Sequence, residues 1–178
     1  RPASPPCSSA PPWRLAWPRP AVRPMPPLLK LLRPGDWTKN VFVLPAFVFA
    51  LPGLLAVGTP TDELVILALD TVVAFVCFSL IASGFYCLND VLDAEKDRQH
   101  PVKRKRPVAS GAVRPNTAVA TGLALIAASI GLGLAMRPGF AVVLVAYAVL
   151  QLAYNGGLKR VLFVDVVGLA VGFALRAV

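Results

Sequence analysis

Long apolar runs separated by short polar connections dominate this sequence and restrict it to one broad class of fold. Of the 178 residues, 56% are hydrophobic and only 15% are charged, whereas a soluble domain carries about a quarter charged residues. A helix of about 20 apolar residues can cross the hydrocarbon core of a bilayer, and it satisfies its own backbone hydrogen bonds there. The sequence therefore predicts an all-α fold, a multi-pass transmembrane helical bundle in a lipid bilayer.

Five apolar spans can be delimited along the chain. The first contains Pro45 and Pro52, and the fourth is short, so we expect both to be kinked or to extend into the flanking sequence. The spans cover residues 41–57, 64–88, 117–136 and 140–154, and a fifth starts near Val161 and continues to the last residue.

The first 27 residues differ in composition from the rest of the chain. They contain ten of the eighteen prolines and four arginines, and proline cannot supply the backbone donors of a helix or a sheet. We expect residues 1–27 to form a disordered tail and residues 28–178 to form the membrane domain. Because the chain starts at Arg1 and ends inside an apolar run, we also expect it to be part of a longer protein.

The basic residues are concentrated on alternate connections between the spans. Residues 58–63 carry no Lys or Arg, whereas residues 28–40 and 89–116 carry most of them, Arg33 included. The positive-inside rule places the N-terminus and residues 89–116 in the cytoplasm of a protein of the plasma membrane. Topology thereby accounts for most of the net charge of +9, and we expect no nucleic-acid partner.

The most polar passage, NDVLDAEKDRQHPVKRKRPVASG, covers residues 89–111 and directly follows the second span. The spacing of Asp90, Asp93 and Asp97 is i, i+3, i+7, which predicts that all three lie on one face of a helix. Like charges repel, so either basic partners or a divalent cation should compensate them. Mg²⁺ prefers oxygen ligands and usually binds a few carboxylates together with substrate phosphates.

Two interpretations of this acidic face remain open from the residues alone. Charge runs in soluble helices usually form solvated, salt-bridged surfaces. At the end of a membrane helix, however, ionisable groups are candidates for a functional site.

The passage resembles the first aspartate-rich motif, NDxxDxxxD followed by RPxxSG, of the UbiA superfamily of intramembrane prenyltransferases. Together with LRPGDWTKN (residues 32–40), it is most similar to the branch of decaprenyl-phosphate phosphoribosyltransferases. YNGGLK (154–159) resembles the YxxxxK element of that branch. The resemblance extends from about Leu28 to the end of the chain.

The resemblance implies a UbiA-like bundle of which about five of nine helices are present. It also implies Mg²⁺ bound by two aspartate-rich motifs, with Asp90, Asp93 and Asp97 as catalytic metal ligands of the first. The implied reaction transfers 5-phosphoribose from 5-phosphoribosyl 1-pyrophosphate to a polyprenyl phosphate, for cell-wall arabinan precursors. Because the second motif lies beyond this sequence, we expect these residues alone to be inactive.

Substrate contacts are implied by position for several polar residues. Arg106 suits a donor phosphate because a guanidinium binds phosphate in a bidentate manner. Lys39 and Asn40 either contact the acceptor phosphate or, in the case of the lysine, extend to a lipid headgroup. Tyr154 and Lys159 either line the same cavity or act as an interfacial aromatic and a topology charge. The full set is Asn89, Lys103, Arg106, Lys39, Asn40, Tyr154 and Lys159.

Two alternative functions remain. Within the superfamily, the chain could belong to a prenyl diphosphate transferase that acts on an aromatic acceptor. Outside it, the acidic face could belong to a non-catalytic membrane subunit or to half of a transporter. A homo-oligomer is compatible with each of these functions.

Overall fold

The structure is a computed structural model that describes residues 25–156 and 171–172. The tail up to residue 24, the start of the fifth span and Lys159 lie outside the described residues. In the described part, helices alternate with short connections. The α-helices are α1 (Pro27–Leu32), α2 (Leu44–Ala56), α3 (Thr61–Leu92), α4 (Ala94–Gln99), α5 (Pro115–Met136) and α6 (Pro138–Gly156), and two 3-10 helices cover Pro34–Val43 and Lys103–Lys105.

Four helical segments of the described residues are long and apolar enough to cross a membrane. They match the first four predicted spans and confirm the all-α, multi-pass fold. Their bounds are Pro27–Ala56, Thr61–Leu92, Pro115–Met136 and Pro138–Asn155. With 32 residues, α3 is about 48 Å long, longer than the bilayer core of about 30 Å. One polar end of α3 therefore extends beyond the apolar layer and can carry charged side chains.

The first membrane segment is built from three pieces and extends into the residues before the predicted span, which is one of the two outcomes we expected. Pro34 opens the 3-10 helix, and Pro45 occupies the first turn of α2, where a missing N–H leaves no hydrogen bond unmade. Only Pro52 lies inside a helix. The result is a ten-residue 3-10 helix, which we call the strap (Pro34–Val43).

The long helix α3 is the centre of the bundle and packs most extensively against α5. The two backbones approach closely at Gly84 and Gly122, where any larger side chain would meet the opposite helix. Nearer the N-terminus of α3, in the same interface, the Ser129 hydroxyl donates to the Cys77 carbonyl oxygen at 2.8 Å. Small residues allow such close contact between membrane helices, which then associate by packing and hydrogen bonding.

Two apolar clusters position the polar end of α3. The first lies in the middle of the bundle, where the Phe78 ring packs edge-on against Tyr147 of α6 at a centroid distance of 5.5 Å. The second fastens α4 and the following loop onto α3 and α5. Its buried members are Leu31, Cys87, Ala94, Val108, Val113 and Ala118. The polar passage 89–111 is therefore packed against the bundle at both of its ends.

Candidate functional site

Two carboxylates are buried at the polar end of the bundle. Asp90 lies in the last turn of α3 with 1% of its surface exposed, and Asp97 lies in α4 with 3% exposed. A buried carboxylate is unfavourable unless it is paired. These two side chains therefore need partners or a ligand.

The helix is interrupted at Asp93, so the prediction that three aspartates lie on one face of a single helix is wrong. α3 ends at Leu92, and Asp93 has φ −93° and ψ 0°. The interruption is one residue wide, since the Asp97 N–H donates to the Asp93 carbonyl oxygen at 2.8 Å. Asp90 and Asp97 still share Arg106 as a partner. Asp93 makes no ion pair within the described residues.

Two arginines compensate the buried carboxylates. Arg33 forms an ion pair with Oδ1 of Asp90. The Nη1 atom of Arg106 lies 2.6 Å from Oδ2 of Asp97 and 3.5 Å from Oδ1 of Asp90. Arg106 was predicted at the site, whereas the sequence indicated Arg33 only as a topology charge. Its place within LRPGDWTKN was the one signal that could have suggested a further role.

Arg33 is held in an unusual backbone conformation. With a φ of 50°, it is the only non-glycine residue with positive φ in the described part of the chain. A non-glycine residue in this left-handed conformation raises the free energy of the folded state by about 1–3 kcal/mol. The guanidinium lies 5.0 Å from the centre of the Tyr86 ring, in the range of a cation–π interaction. The ion pair with Asp90 and this ring contact together oppose the backbone strain.

The strap is fastened to α3 by a row of hydrogen bonds. The Trp37 indole N–H donates to the Ser83 hydroxyl oxygen at 2.9 Å, and this hydroxyl donates to the Leu32 carbonyl oxygen at 2.8 Å. Asn40 is buried and its amide donates to Ser79 at 3.1 Å. Lys39 has an exposed side chain, 2.9 Å from Asp36. The two residues predicted to contact one phosphate therefore point in different directions.

The remaining predicted residues that the structure describes lie at the polar end of the bundle. Asn89 donates its side-chain amide to the Asn155 side-chain oxygen at 3.3 Å, which ties α3 to the end of α6. Tyr154 is half-buried at this same end. Lys103 is exposed, and its backbone N–H lies 3.3 Å from Nδ1 of His100. Asn155, which sequence reasoning missed, therefore contacts the residue next to Asp90, whereas the contact of Lys103 is with His100.

The arrangement fits a divalent cation that is shared with an anionic ligand. Across the described residues, no three acidic, histidine or cysteine side chains converge to hold a metal ion. However, Oδ2 of Asp90 is buried without a hydrogen-bond partner in this part of the chain. Carboxylate oxygens are ligands that Mg²⁺ prefers, and Mg²⁺ commonly takes its remaining ligands from phosphate and water. Asp90 and Asp97 suit such an open site.

The sequence is similar to a known family over most of its length. The sequence model of the UbiA prenyltransferase family matches residues 45–178. A decaprenyl-phosphate phosphoribosyltransferase of Mycobacterium tuberculosis is 39% identical over 85% of this chain and 48% of its own length. The protein of that name from Corynebacterium glutamicum is 40% identical over 84% of this chain and 44% of its own length. The chain thus spans about half the length of the curated relatives that it matches.

Proposed function

The chain belongs to the UbiA prenyltransferase family, and we propose on this premise that it carries part of a phosphoribosyl transfer site. The reaction would move 5-phosphoribose from 5-phosphoribosyl 1-pyrophosphate to a polyprenyl phosphate such as decaprenyl phosphate, for cell-wall arabinan precursors. The observation that carries the proposal is the buried pair Asp90 and Asp97 with its two arginines at the polar end of the bundle. The names of the relatives support the choice of donor and acceptor.

A divalent cation, Mg²⁺ in this proposal, would be held by Asp90 and Asp97 with Asp93 beside them. When bound, it would neutralise the charge that develops on the departing diphosphate. The protein's own groups supply the rest of the donor site. Arg106 lies within reach of both buried carboxylates and can bind phosphate oxygens in a bidentate manner, while exposed Lys103 supplies a second positive charge at the rim.

Orientation of the donor depends on groups beside the carboxylates. The Asn89 amide is fixed by Asn155 at 3.3 Å, so its position relative to Asp90 is defined by both α3 and α6. A fixed donor brings the anomeric carbon towards an acceptor phosphate, and such positioning lowers the barrier of a two-substrate reaction.

The acceptor phosphate would bind between the strap and the end of α6. Buried Asn40 donates to Ser79 and would hold the strap in place rather than bind the phosphate. Lys39 presents its charge at the surface of the strap, with Tyr154 on α6 and Lys159 further along the chain. A polyprenyl chain is apolar, so it would lie in the lipid beside the bundle while its phosphate reaches the polar end. These residues are proposed as the acceptor site.

The site would lie on the cytoplasmic side of the plasma membrane. Of the Lys and Arg residues in the described ranges, only Arg137 lies at the opposite end of the bundle, where it pairs with Asp70 at 3.2 Å. This asymmetry supports a cytoplasmic polar end. A water-soluble, multiply charged donor would then reach the site directly from the cytoplasm.

The proposal is tested with the complete gene product that carries these 178 residues, purified into lipid nanodiscs. With Mg²⁺, decaprenyl phosphate and phosphoribosyl pyrophosphate labelled in the ribose, we expect label in the lipid extract, and we expect Asp90→Asn to remove it. Transfer only from a prenyl diphosphate to an aromatic acceptor would overturn the choice of substrates. No transfer from either donor, with the protein correctly folded, would favour a non-catalytic subunit.

A further inference from the structure

The two oxygens of the Asp90 carboxylate have different surroundings. Oδ1 pairs with Arg33 and lies 3.5 Å from Arg106, whereas Oδ2 is buried with no hydrogen-bond partner in the described residues. The carboxylate itself is fixed, since it is 1% exposed, while the Arg33 side chain is 27% exposed. In this ion pair the arginine is therefore the partner that can move.

We propose that Arg33 is an exchangeable counter-ion of Asp90, which a cation entering the site must displace. Arg33 thereby sets the affinity for a divalent cation before the donor arrives. This inference rests on the proposed function in one respect, because it takes Asp90 to be a cation ligand. It assigns to Arg33 a positioning role that the topology of the basic residues does not explain.

The physical reason is that two positive groups compete for one carboxylate. A guanidinium against Oδ1 repels a divalent cation at Oδ2, and the low dielectric of a buried site strengthens this repulsion. Binding of the cation alone is then opposed. Binding of a cation together with an anion is favoured, since phosphate oxygens offer the displaced guanidinium a bidentate partner. Cation and donor therefore bind with positive coupling, which by thermodynamic linkage is reciprocal.

The backbone of Arg33 supports displacement rather than permanent pairing. Its φ of 50° is unfavourable for a non-glycine residue and is further disfavoured before Pro34. Strain of this kind concentrates at switch regions and ligand clamps. When the ion pair opens, the strained backbone of Arg33 loses one of the contacts that hold it in place. The junction between α1 and the strap can then rearrange.

Arg106 is not expected to play the same part. Its shorter contact, at 2.6 Å, is with Asp97, and its distance to Asp90 is 3.5 Å. It can therefore keep one carboxylate partner while Asp90 changes ligands. Removing Arg33 is consequently the specific way to free Asp90.

The test measures Mn²⁺ affinity of the complete gene product by electron paramagnetic resonance, with no donor present. For Arg33→Gln we expect the Mn²⁺ affinity to rise roughly tenfold, because the cation no longer has to break a charge-assisted contact of Asp90 and one such contact corresponds to about this ratio of affinities. Arg33→Lys keeps the charge but loses the planar fork, and we expect an intermediate rise of about threefold. Lys30→Gln is the matched control, because it removes an exposed cation from the same α1 helix. Its side chain donates to the Lys105 carbonyl oxygen at 3.2 Å and pairs with no carboxylate of the described residues.

Three results would overturn the inference. They are an unchanged or lower affinity in Arg33→Gln, an equal rise in Lys30→Gln, and a rise in affinity in Arg33→Gln that persists after Asp90→Asn is added. If Arg33→Gln fails to fold, as judged by size-exclusion chromatography, the absence of a rise in Arg33→Lys decides against the inference. If Arg33→Gln raises the Mn²⁺ affinity but the unmodified protein transfers no phosphoribose, only the proposed reaction is contradicted. If the unmodified protein transfers phosphoribose but Arg33→Gln does not raise the Mn²⁺ affinity, only the role of Arg33 is contradicted.

Discussion

Gly84 of α3 and Gly122 of α5 approach each other so closely that neither position has room for a Cβ atom. A Cβ on Gly84 would lie 2.7 Å from the Gly122 carbonyl oxygen, and one on Gly122 would lie 2.9 Å from that of Gly84. The opposing groups are backbone atoms, which cannot move aside as a flexible side chain can. This contact fixes the separation of the two helices less than two turns before Asp90, and therefore the frame of the acidic pair.

Gly84→Ala is expected to destabilise the bundle by about 1–3 kcal/mol, the usual cost of overpacking. The measurement is the thermal unfolding midpoint of the purified protein in detergent. Gly131→Ala is the matched control, because a Cβ there meets nothing within 4 Å and alanine favours a helix over glycine. Equal midpoints for the two variants would contradict the close contact.

Asp97→Asn is expected to lower kcat/KM of the complete gene product by about 100-fold or more, as removal of a preorganised charge in an active site does. Arg106 would lose its partner at 2.6 Å, and the proposed cation site would lose a ligand. Glu95→Gln removes a charge from the same helix, but its side chain is 76% exposed and pairs with Arg98. We expect the activity of Glu95→Gln to stay within about twofold of the unmodified protein, as exposed ion pairs contribute little. Similar losses in both variants would indicate a general charge effect instead.

Ser83→Ala is expected to loosen the strap, because Ser83 accepts the Trp37 N–H and donates to the Leu32 carbonyl oxygen. Leaving the Trp37 N–H and the Leu32 carbonyl oxygen unpaired lowers the stability of the folded strap by about 1–3 kcal/mol. The measurement is protease cleavage in the strap, compared with Ser110→Ala, in which an exposed hydroxyl bonded to a carbonyl oxygen at 3.3 Å is lost. Faster cleavage confined to Ser83→Ala is the expected result, and equal rates would exclude this role.

Single cysteines can report the orientation of the bundle in intact cells. In a background in which Cys7 and every cysteine of the complete gene product outside these 178 residues are changed to Ser, Val102→Cys lies on an exposed loop at the polar end, and Asp62→Cys lies at the other end of α3. Cys77 and Cys87 are fully buried, so they should not react. We expect a membrane-impermeant maleimide to label Asp62→Cys from outside and Val102→Cys only after the membrane is opened. The reverse pattern would overturn the cytoplasmic placement of the site.

The membrane segments and the acidic passage could be predicted because each is a local property of the chain. Bilayer thickness dictates the length of an apolar helix. Pro45 lies in the first turn of α2, where the strap ends, whereas Pro52 lies inside α2 without interrupting it. Asp90 and Asp97 are seven residues apart in sequence, so helical periodicity alone places them on one side. Position next to a membrane segment then distinguished a candidate site from an ordinary charged surface.

Other features depended on neighbours that are distant in the sequence. Periodicity could not reveal the interruption at Asp93, because a one-residue break leaves no mark in composition. Asn40 looked like a substrate ligand from its motif, yet packing of the strap turns it towards Ser79 of α3. The contact between Asn89 and Asn155 likewise requires α6 to return to the end of α3.

The sequence by itself determined that the chain crosses a membrane, which end is basic and which carboxylates could act. It did so because helix length, hydropathy and charge distribution are set along one dimension. Only the tertiary structure decided that Arg33 is the partner of Asp90, which lies 57 residues further along the chain. That pairing requires α1, the strap and α3 to be packed together, and such packing depends on shape and burial, which no local pattern records.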